Sequence, residues 1–417
     1  MLRRVVVPDV KSVYSMSGKA VTMAVRKACK DKVNSPQLWD AFMYRTSIVR
    51  SELSLNDVSL IVNAFADFPK YISIPFLRYL LEPLMGGEKD KQQPNVSLAD
   101  ISMILRNVEK VKIYQDRLKL DFFNAVKNLI LGKLPNTVSN KDLINLVSVL
   151  RYYPLDKALV KRIEGIVTNL DFEKMKLHPK SAIILLDFTW RASSSSAASL
   201  EEDDEEEEPV YRTSTDRAET GNVLLLSRLF SKCIALSARF NHRDTLGFAK
   251  ILDSMDAEVL SSLGHPSVQP IAQVLTRLIT RDLAHFKPLE LVQLMNLSVL
   301  TDKTRIAEEC SYRMREFRCP NAVKLLVTAA PSSRSLAEAV LARLAKFDAP
   351  QTLTPQDLIA LCQQLVILKL DSSSFSVKLL NTTLRGLLPI LRKSNAEESA
   401  KLVSLYTALG VDLGRGS

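Results

Sequence analysis

A pattern of polar and apolar positions recurs along the chain, and residues 139–153 carry a clear copy of it. Ser139 is placed to cap a helix, and Asp142 can return a hydrogen bond to the main-chain N–H of Ser139. Apolar side chains then recur along one face of a helix with about 3.6 residues per turn. They are Leu143, Leu146, Val147, Leu150 and Tyr153. The stretch therefore predicts an amphipathic helix with a defined start.

The same capping pair, followed by the same apolar spacing, appears elsewhere in the chain. The pairs are Ser54 with Asp57, Ser97 with Asp100, Ser139 with Asp142, Asn241 with Asp244, Thr354 with Asp357 and Ser394 with Glu397. Three further copies, near residues 181, 290 and 321, keep the apolar pattern without the full pair. A second helix pattern follows most copies, and most copies lie about 40 residues apart, a period typical of α-solenoids.

These repeats predict an all-α protein, an α-solenoid of about nine stacked helical hairpins of about 40 residues each. Each hairpin has an apolar face that it cannot bury alone, so stacking on its neighbours supplies the core. A helical bundle without repeats is the alternative architecture.

Composition divides the chain into four segments. They are a basic amino-terminal segment at 1–34, amino-terminal repeats at 35–191, an acidic low-complexity insertion at 192–221 and carboxy-terminal repeats at 222–417. The repeats are expected to begin with a helix capped by Ser35, with Pro36 in its first turn. The insertion has too few apolar residues to pack, so we expect a disordered or weakly ordered surface loop.

The charge of the chain points to a polyanionic partner. The formal net charge is +10 although residues 201–208 are all acidic, so the rest of the chain is more basic still. Nucleic acid is the commonest partner of such a surface, and a solvated basic surface is the alternative. The five cysteines, an odd number without C-x-x-C spacing, favour a reducing compartment and argue against disulfides.

The segment 1–34 combines many basic residues with serine and threonine and contains few acidic residues. This composition is typical of a mitochondrial or plastid transit peptide. A basic arm that remains on the protein and touches nucleic acid is the other interpretation.

The repeat pattern resembles organellar helical-repeat RNA-binding proteins, namely the heptatricopeptide and octotricopeptide repeat proteins and the repeats of the Fas-activated serine/threonine kinase-like family. The likeness covers roughly residues 54–409 and rests on core positions, so it transfers no base-reading residue. It implies RNA binding in mitochondria or plastids, in transcript stability, transcript processing or an organellar ribosome. A RAP domain, with which many such proteins end, is not expected because the last predicted helix lies close to Ser417.

No catalytic or cofactor pattern accompanies the repeats. The histidines, His178, His242, His265 and His285, lie in no metal-binding or triad motif, and no phosphate-binding glycine loop is present. We therefore expect no enzyme activity, no cofactor and no metal. No apolar run is long enough to predict a membrane span.

Clusters of basic residues are the candidates for nucleic-acid binding. They are Arg26, Lys27 and Lys30 in the first segment, Lys141 and Arg151 on the polar side of the 139–153 helix, Arg313, Arg315 and Arg318, and Arg392 with Lys393. Such side chains neutralise phosphates. At helix carboxyl ends they can instead complement the helix dipole, which needs no ligand.

The sequence thus predicts a non-catalytic RNA-binding protein, a structural component of a mitochondrial ribonucleoprotein such as the mitochondrial ribosome. Its expected partners are rRNA or an organellar transcript and other proteins of that complex. The mitochondrial matrix is the expected location, with plastid or cytoplasm as alternatives. A protein–protein scaffold of the HEAT or armadillo kind, whose acidic loop contacts a basic partner, is the alternative function.

Overall fold

Helices form the framework of the chain. The computed structural model describes residues 9–85, 97–111, 116–134, 139–154, 156–172, 174–198, 222–255, 259–260, 269–329, 333–344, 353–368 and 396–409. No strand occurs among these residues, and neighbouring helices pack on one another in series, which confirms the predicted α-solenoid. The chain divides into two compact units, Met1–Lys232 and Cys233–Ser417.

Unit 1 contains ten helices in its described part and the start of an eleventh. They are α1 (Val10–Val13), α2 (Gly18–Lys30), α3 (Pro36–Ile48), α4 (Leu55–Asp67), α5 (Ile74–Met85), α6 (Leu98–Lys110), α7 (Asp116–Lys133), α8 (Asn140–Leu150), α9 (Lys157–Thr168), α10 (Pro179–Ala198) and α11 (Asn222–Leu236). The predicted hairpins are present, with α4 and α5, α6 and α7, and α8 and α9 as the helix pairs.

The helices of unit 1 form two layers. One layer consists of the first helices of the repeats, α2, α4, α6, α8 and α10, each of which contacts the next. The other consists of second helices, in which α1, α3, α5, α7 and α9 contact one another in the same order. The apolar positions of the recurring pattern, such as Leu143, Leu146 and Val147, are buried between these helices. They are therefore packing positions.

The predicted capping pairs determine where the first helices begin. At Ser54 the side chain accepts from the N–H of Asp57, while the Asp57 carboxylate accepts from the N–H of Ser54. Full pairs of this kind also occur at Ser97, Asn241 and Thr354. The Ser139 hydroxyl likewise accepts from the N–H of Asp142, at 3.1 Å. The Asp142 carboxylate, however, bonds the Ser139 hydroxyl rather than its N–H.

Unit 2 continues the same architecture. Its helices are α12 (His242–Asp253), α13 (Gln269–Asp282), α14 (Pro288–Asn296), α15 (Thr304–Tyr312), α16 (Cys319–Ala329), α17 (Arg334–Leu344), α18 (Pro355–Ile367) and α19 (Ala396–Ala408). The first helices α14, α16 and α18 contact in series, as do α18 and α19, and α15 contacts α17 in the second layer. The predicted cap Ser394 lies outside the described residues.

The repeats begin earlier than the sequence predicted. The expected first helix, after Ser35, is present as α3, but α2 precedes it and packs on α4 as a first helix of the array. Val21, Val25 and Ala28 of α2 are buried, and its basic side chains lie on the exposed side. The composition of residues 1–34 concealed this amphipathic pattern.

The insertion begins later than the sequence predicted. Helix α10 continues to Ala198, so residues 192–198 are helical rather than part of a loop. Ala192 is itself buried. Residues 199–221, which include the acidic run, lie outside the described part of the chain.

Candidate nucleic-acid interface

The first helices of unit 1 carry polar side chains at two equivalent positions, four residues apart. These pairs are Arg26 and Lys30 on α2, Asn63 and Asp67 on α4, Arg106 and Lys110 on α6, Ser148 and Tyr152 on and just after α8, and Asp187 and Arg191 on α10. Residues four apart lie on one side of a helix. The pairs therefore form one line of side chains per helix, and together we refer to them as the polar track.

Hydrogen bonds between neighbouring helices join the polar track. The Lys110 Nζ donates to Asn63 Oδ1 at 3.0 Å, which links α6 to α4. The Arg106 Nη2 donates to Ser148 Oγ at 2.6 Å, which links α6 to α8. Arg191 of α10 donates to the main-chain oxygen of Arg151 at the end of α8. The track is thus continuous from α4 to α10.

The polar track keeps positive charge at its centre. Arg106 and Lys110 are exposed and donate to neutral groups, so these bonds do not cancel their charges. Asp187 is the acidic member on α10, and burial raises its pKa while Arg191 and Arg151 oppose that shift. The centre of the track therefore presents two cations on α6 that bond neutral groups, while Asp67 on α4 and Asp187 on α10 are its acidic members.

An aromatic ring lies within this basic surface. Tyr152 follows α8, and the guanidinium carbon of Arg151 lies 4.6 Å from the centre of its ring. Arg151 also donates to the Tyr152 hydroxyl. A cation over an aromatic face is an attractive arrangement, and both groups are exposed.

Several residues predicted from the sequence lie on or beside the polar track. Arg26 and Lys30 belong to it, and Lys27 is the exposed neighbour of Arg26 on α2. Lys141 is exposed in the first turn of α8, and Arg151 is exposed at its end. The structure thus brings the amino-terminal cluster and the 139–153 candidates onto one layer of helices.

Arg313 has a different role from the predicted one. Its side chain is only 14% exposed and donates to the main-chain oxygens of Ala284 and Phe286, while Glu309 and Glu316 pair with its charge. A guanidinium held in this way is not available to a phosphate. Its neighbours Arg315 and Arg318 are exposed. Arg392 and Lys393 lie outside the described residues.

Arg313 is one of a series of inter-repeat arginines. Each comes from one second helix and donates to main-chain oxygens where the preceding second helix ends. The pairs are Arg45 to Met16, Arg162 to Leu134, Arg228 to Thr168 and Leu170, Arg281 to Ala238 and Phe240, Arg313 to Ala284 and Phe286, and Arg343 to Arg315. Carbonyl groups at a helix end lack partners within the helix, so these bonds satisfy them.

The sequence reasoning missed Arg106, Lys110 and Arg191. None of the three lies in a basic cluster that the sequence analysis singled out. The signal that identifies them is position, because each lies at the same distance from the start of its helix as its counterparts in neighbouring repeats. Alignment of the helices on their caps therefore finds the polar track.

Other kinds of site find little support in the described part of the chain. Its side chains form no group of three or more His, Cys, Asp or Glu that could hold a metal ion. Within the same residues, no helix has the length and apolar character needed to cross a membrane. The five cysteines are free thiols. No protein-family model matches the chain, and no curated protein matches it significantly.

Proposed function

We propose that this chain is a non-catalytic RNA-binding α-solenoid that belongs to a mitochondrial ribonucleoprotein, such as the mitochondrial ribosome. The polar track of unit 1 carries the proposal, because it aligns Arg106 and Lys110 with neutral donors and acceptors on consecutive helices. Cations of this kind bind phosphates, while amide and hydroxyl groups bond sugars and base edges.

A single strand of RNA fits the polar track better than a duplex does. The track is narrow, with two side chains per helix, and consecutive packed helices are about 8–10 Å apart. The track cations lie on alternate helices, α2, α6 and α10, and a flexible strand can follow the row so that phosphates several nucleotides apart reach them. The ligand class we propose is therefore single-stranded RNA, bound mainly through its backbone.

Salt-dependent binding to a single-stranded oligonucleotide tests the proposal. The double variant Arg106→Ala/Lys110→Ala should weaken binding and reduce the slope of log affinity against log salt by about 1.4, since each phosphate contact on a single strand contributes about 0.7. The matched control is Lys157→Ala/Lys161→Ala, which removes two exposed cations from the second-helix layer at α9. Wild-type protein that ignores RNA at low salt would refute the proposal. Equal losses in both double variants would place the RNA elsewhere.

The mitochondrial location is supported by the resemblance of the repeats to organellar RNA-binding families. Localisation of the tagged full-length protein, followed by sequencing of crosslinked RNA, tests it. We expect mitochondrial signal and enrichment of rRNA or a small set of organellar transcripts. A cytosolic protein crosslinked to cytosolic RNA would contradict the location while leaving RNA binding intact.

Contact with another protein has a separate basis in the second-helix layer of unit 1. The exposed apolar and aromatic side chains are Tyr14 just after α1, Tyr44 and Ile48 on α3 and Tyr79 on α5. The rings of Tyr14 and Tyr44 meet with centroids 5.7 Å apart. Aromatic side chains of this type are enriched at protein interfaces. The scaffold function is therefore the second candidate.

The variant Tyr44→Ser/Ile48→Ser should release a protein from the purified complex without changing RNA affinity. Unchanged complex composition would remove this candidate.

A further inference from the structure

We propose that Tyr152 and Arg151 together form a platform on which one unpaired nucleobase of the bound RNA stacks. This inference rests on the proposed RNA-binding function and specifies what one position of the polar track recognises. The ligand class is a base with its π-face free, rather than a phosphate.

The ring of Tyr152 is partly exposed to solvent beside the Arg151 guanidinium. Tyr152 is 42% exposed, and the Arg151 guanidinium lies over its ring at 4.6 Å. The guanidinium covers part of one ring face, and the rest of the exposed ring is a flat π-surface of the kind on which bases stack. The exposed part of this surface is therefore suited to a flat aromatic ligand.

The residues on both sides of Tyr152 are fixed by contacts with neighbouring helices. The next residue, Tyr153, is buried, stacks on Phe123 and donates its hydroxyl to the main-chain oxygen of Leu105 at 2.7 Å. Arg191 binds the carbonyl oxygen of Arg151 from the other side. Because these contacts fix the backbone on both sides of Tyr152, the ring loses little freedom when a base stacks on it.

The charges around the platform separate base recognition from backbone recognition. On α6, Arg106 bonds Ser148 and so lies beside the helix turn that precedes Tyr152. On α10, burial raises the pKa of Asp187, and the nearby positive charges of Arg191 and Arg151 act to lower it. Asp187 offsets part of the positive charge of Arg151 and Arg191, whereas Arg106 donates to a neutral hydroxyl, so a phosphate is favoured more at α6 than beside Tyr152. A strand on the track would thus place its backbone on α6 and a base on Tyr152.

Two RNA oligonucleotides of equal length and charge test the platform. One is a single-stranded oligoadenylate, and the other is abasic at every position, so it keeps every phosphate but offers no base in any register. We expect the wild-type protein to bind the intact strand about tenfold more tightly, because one base on an aromatic platform contributes about 1–3 kcal/mol. Tyr152→Leu should lose most of that preference, and Tyr152→Phe should retain it.

Further variants separate stacking from charge and from misfolding. Arg151→Lys keeps the charge but loses the planar group, so it should lower the preference for the intact strand without changing the salt dependence. The matched control is Tyr44→Leu, which changes an exposed tyrosine on the second helix α3, away from the polar track. This variant should bind both strands as wild type does. A thermal unfolding curve of Tyr152→Leu that matches wild type shows that the fold is retained.

Each outcome is decisive. The platform is refuted if Tyr152→Leu keeps the wild-type preference, or if wild-type protein binds the abasic strand as tightly as the intact one, and in both cases RNA binding itself stands. If wild-type protein binds neither strand at low salt, the proposed function fails and the platform fails with it.

Discussion

Arg313 and Phe286 join two consecutive repeats, since the Arg313 Nη1 donates to the main-chain oxygen of Phe286 over 2.8 Å. Hydrogen bonds that involve a charged group contribute about 1.5–3 kcal/mol each when they are largely shielded from water. Arg313→Met should therefore lower the free energy of unfolding of unit 2 by about 2 kcal/mol, as measured by urea denaturation.

The exposed neighbour Arg315 supplies the control for this prediction. Arg315→Met removes a positive charge two residues away, and a surface change of this kind is expected to alter stability by no more than about 0.5 kcal/mol. RNA affinity of Arg313→Met should stay at the wild-type value. A loss of affinity without a loss of stability would return Arg313 to the set of phosphate ligands.

The apolar face of α2 should matter more to stability than its charges do. Val25 is completely buried, and Val25→Ala removes about two methylene equivalents and leaves a cavity. We expect unit 1 to lose about 2 kcal/mol of stability. Arg26→Ala, on the exposed side of the same helix, should change stability by less than about 0.5 kcal/mol. Equal effects in the two variants would show that α2 is not part of the core in solution.

Replacement by alanine should lower the stability of unit 1 at Gly18 and raise it at Gly165. A Cβ at Gly18 would lie 2.9 Å from the Cβ of Glu52 and 3.1 Å from a methyl carbon of Leu53, so the chain around it must shift. Gly18→Ala should therefore destabilise unit 1 by about 1–3 kcal/mol. No such neighbour surrounds Gly165 within helix α9, and Gly165→Ala should stabilise it by about 0.5–1 kcal/mol. The two melting temperatures, relative to wild type, measure both effects.

Asp156 should make the stability of unit 1 dependent on pH in the acidic range. The hydrogen bond from Lys127, at 2.9 Å, together with the N–H groups of Leu159 and Ala158, lowers the pKa of Asp156. A carboxyl group whose pKa is lowered by folding stabilises the protein above its ordinary pKa, near 4, and that stabilisation disappears as the pH falls through the lowered pKa.

The comparison of wild type with Asp156→Asn checks this. The amide can still cap α9 but cannot pair with Lys127 as a charge, so wild type should be the more stable protein at pH 7. The difference should shrink as urea denaturation is repeated at pH values below about 4. A difference that is constant from pH 7 to pH 2 would show that the charge of Asp156 contributes nothing.

The helices were predictable because their signals are local. Ser54 and Asp57 lie three residues apart and bond each other as the sequence predicted, and the apolar spacing behind them identifies the buried face. The start of the array was not found, although Val21, Val25 and Ala28 have helical spacing, because the basic composition around them suggested a transit peptide. The helical fold could thus be predicted from the periodicity of apolar residues, whereas the basic composition of residues 1–34 obscured where the array begins.

The functional side chains were only partly predictable, because their partners are distant in the sequence. Arg106 and Arg313 are both arginines on or just after helices, yet Arg106 stays exposed while it donates to one serine hydroxyl, and Arg313 is fixed to carbonyl oxygens of another repeat. No local pattern separates the two, since the acceptors lie about one repeat away in the chain. Only the stacking of helices decides which cations stay available to a ligand.

The inter-repeat arginines have a consequence for how the array can change over time. Their acceptors are carbonyl oxygens of the main chain, and almost any residue type supplies such an oxygen. The contact therefore requires an arginine on one second helix, but no particular residue type at the end of the preceding second helix. Repeats joined in this way can change most of their residues, or be duplicated, while the contact between them is kept. Their common architecture can therefore remain in the backbone after sequence similarity between the repeats has been lost.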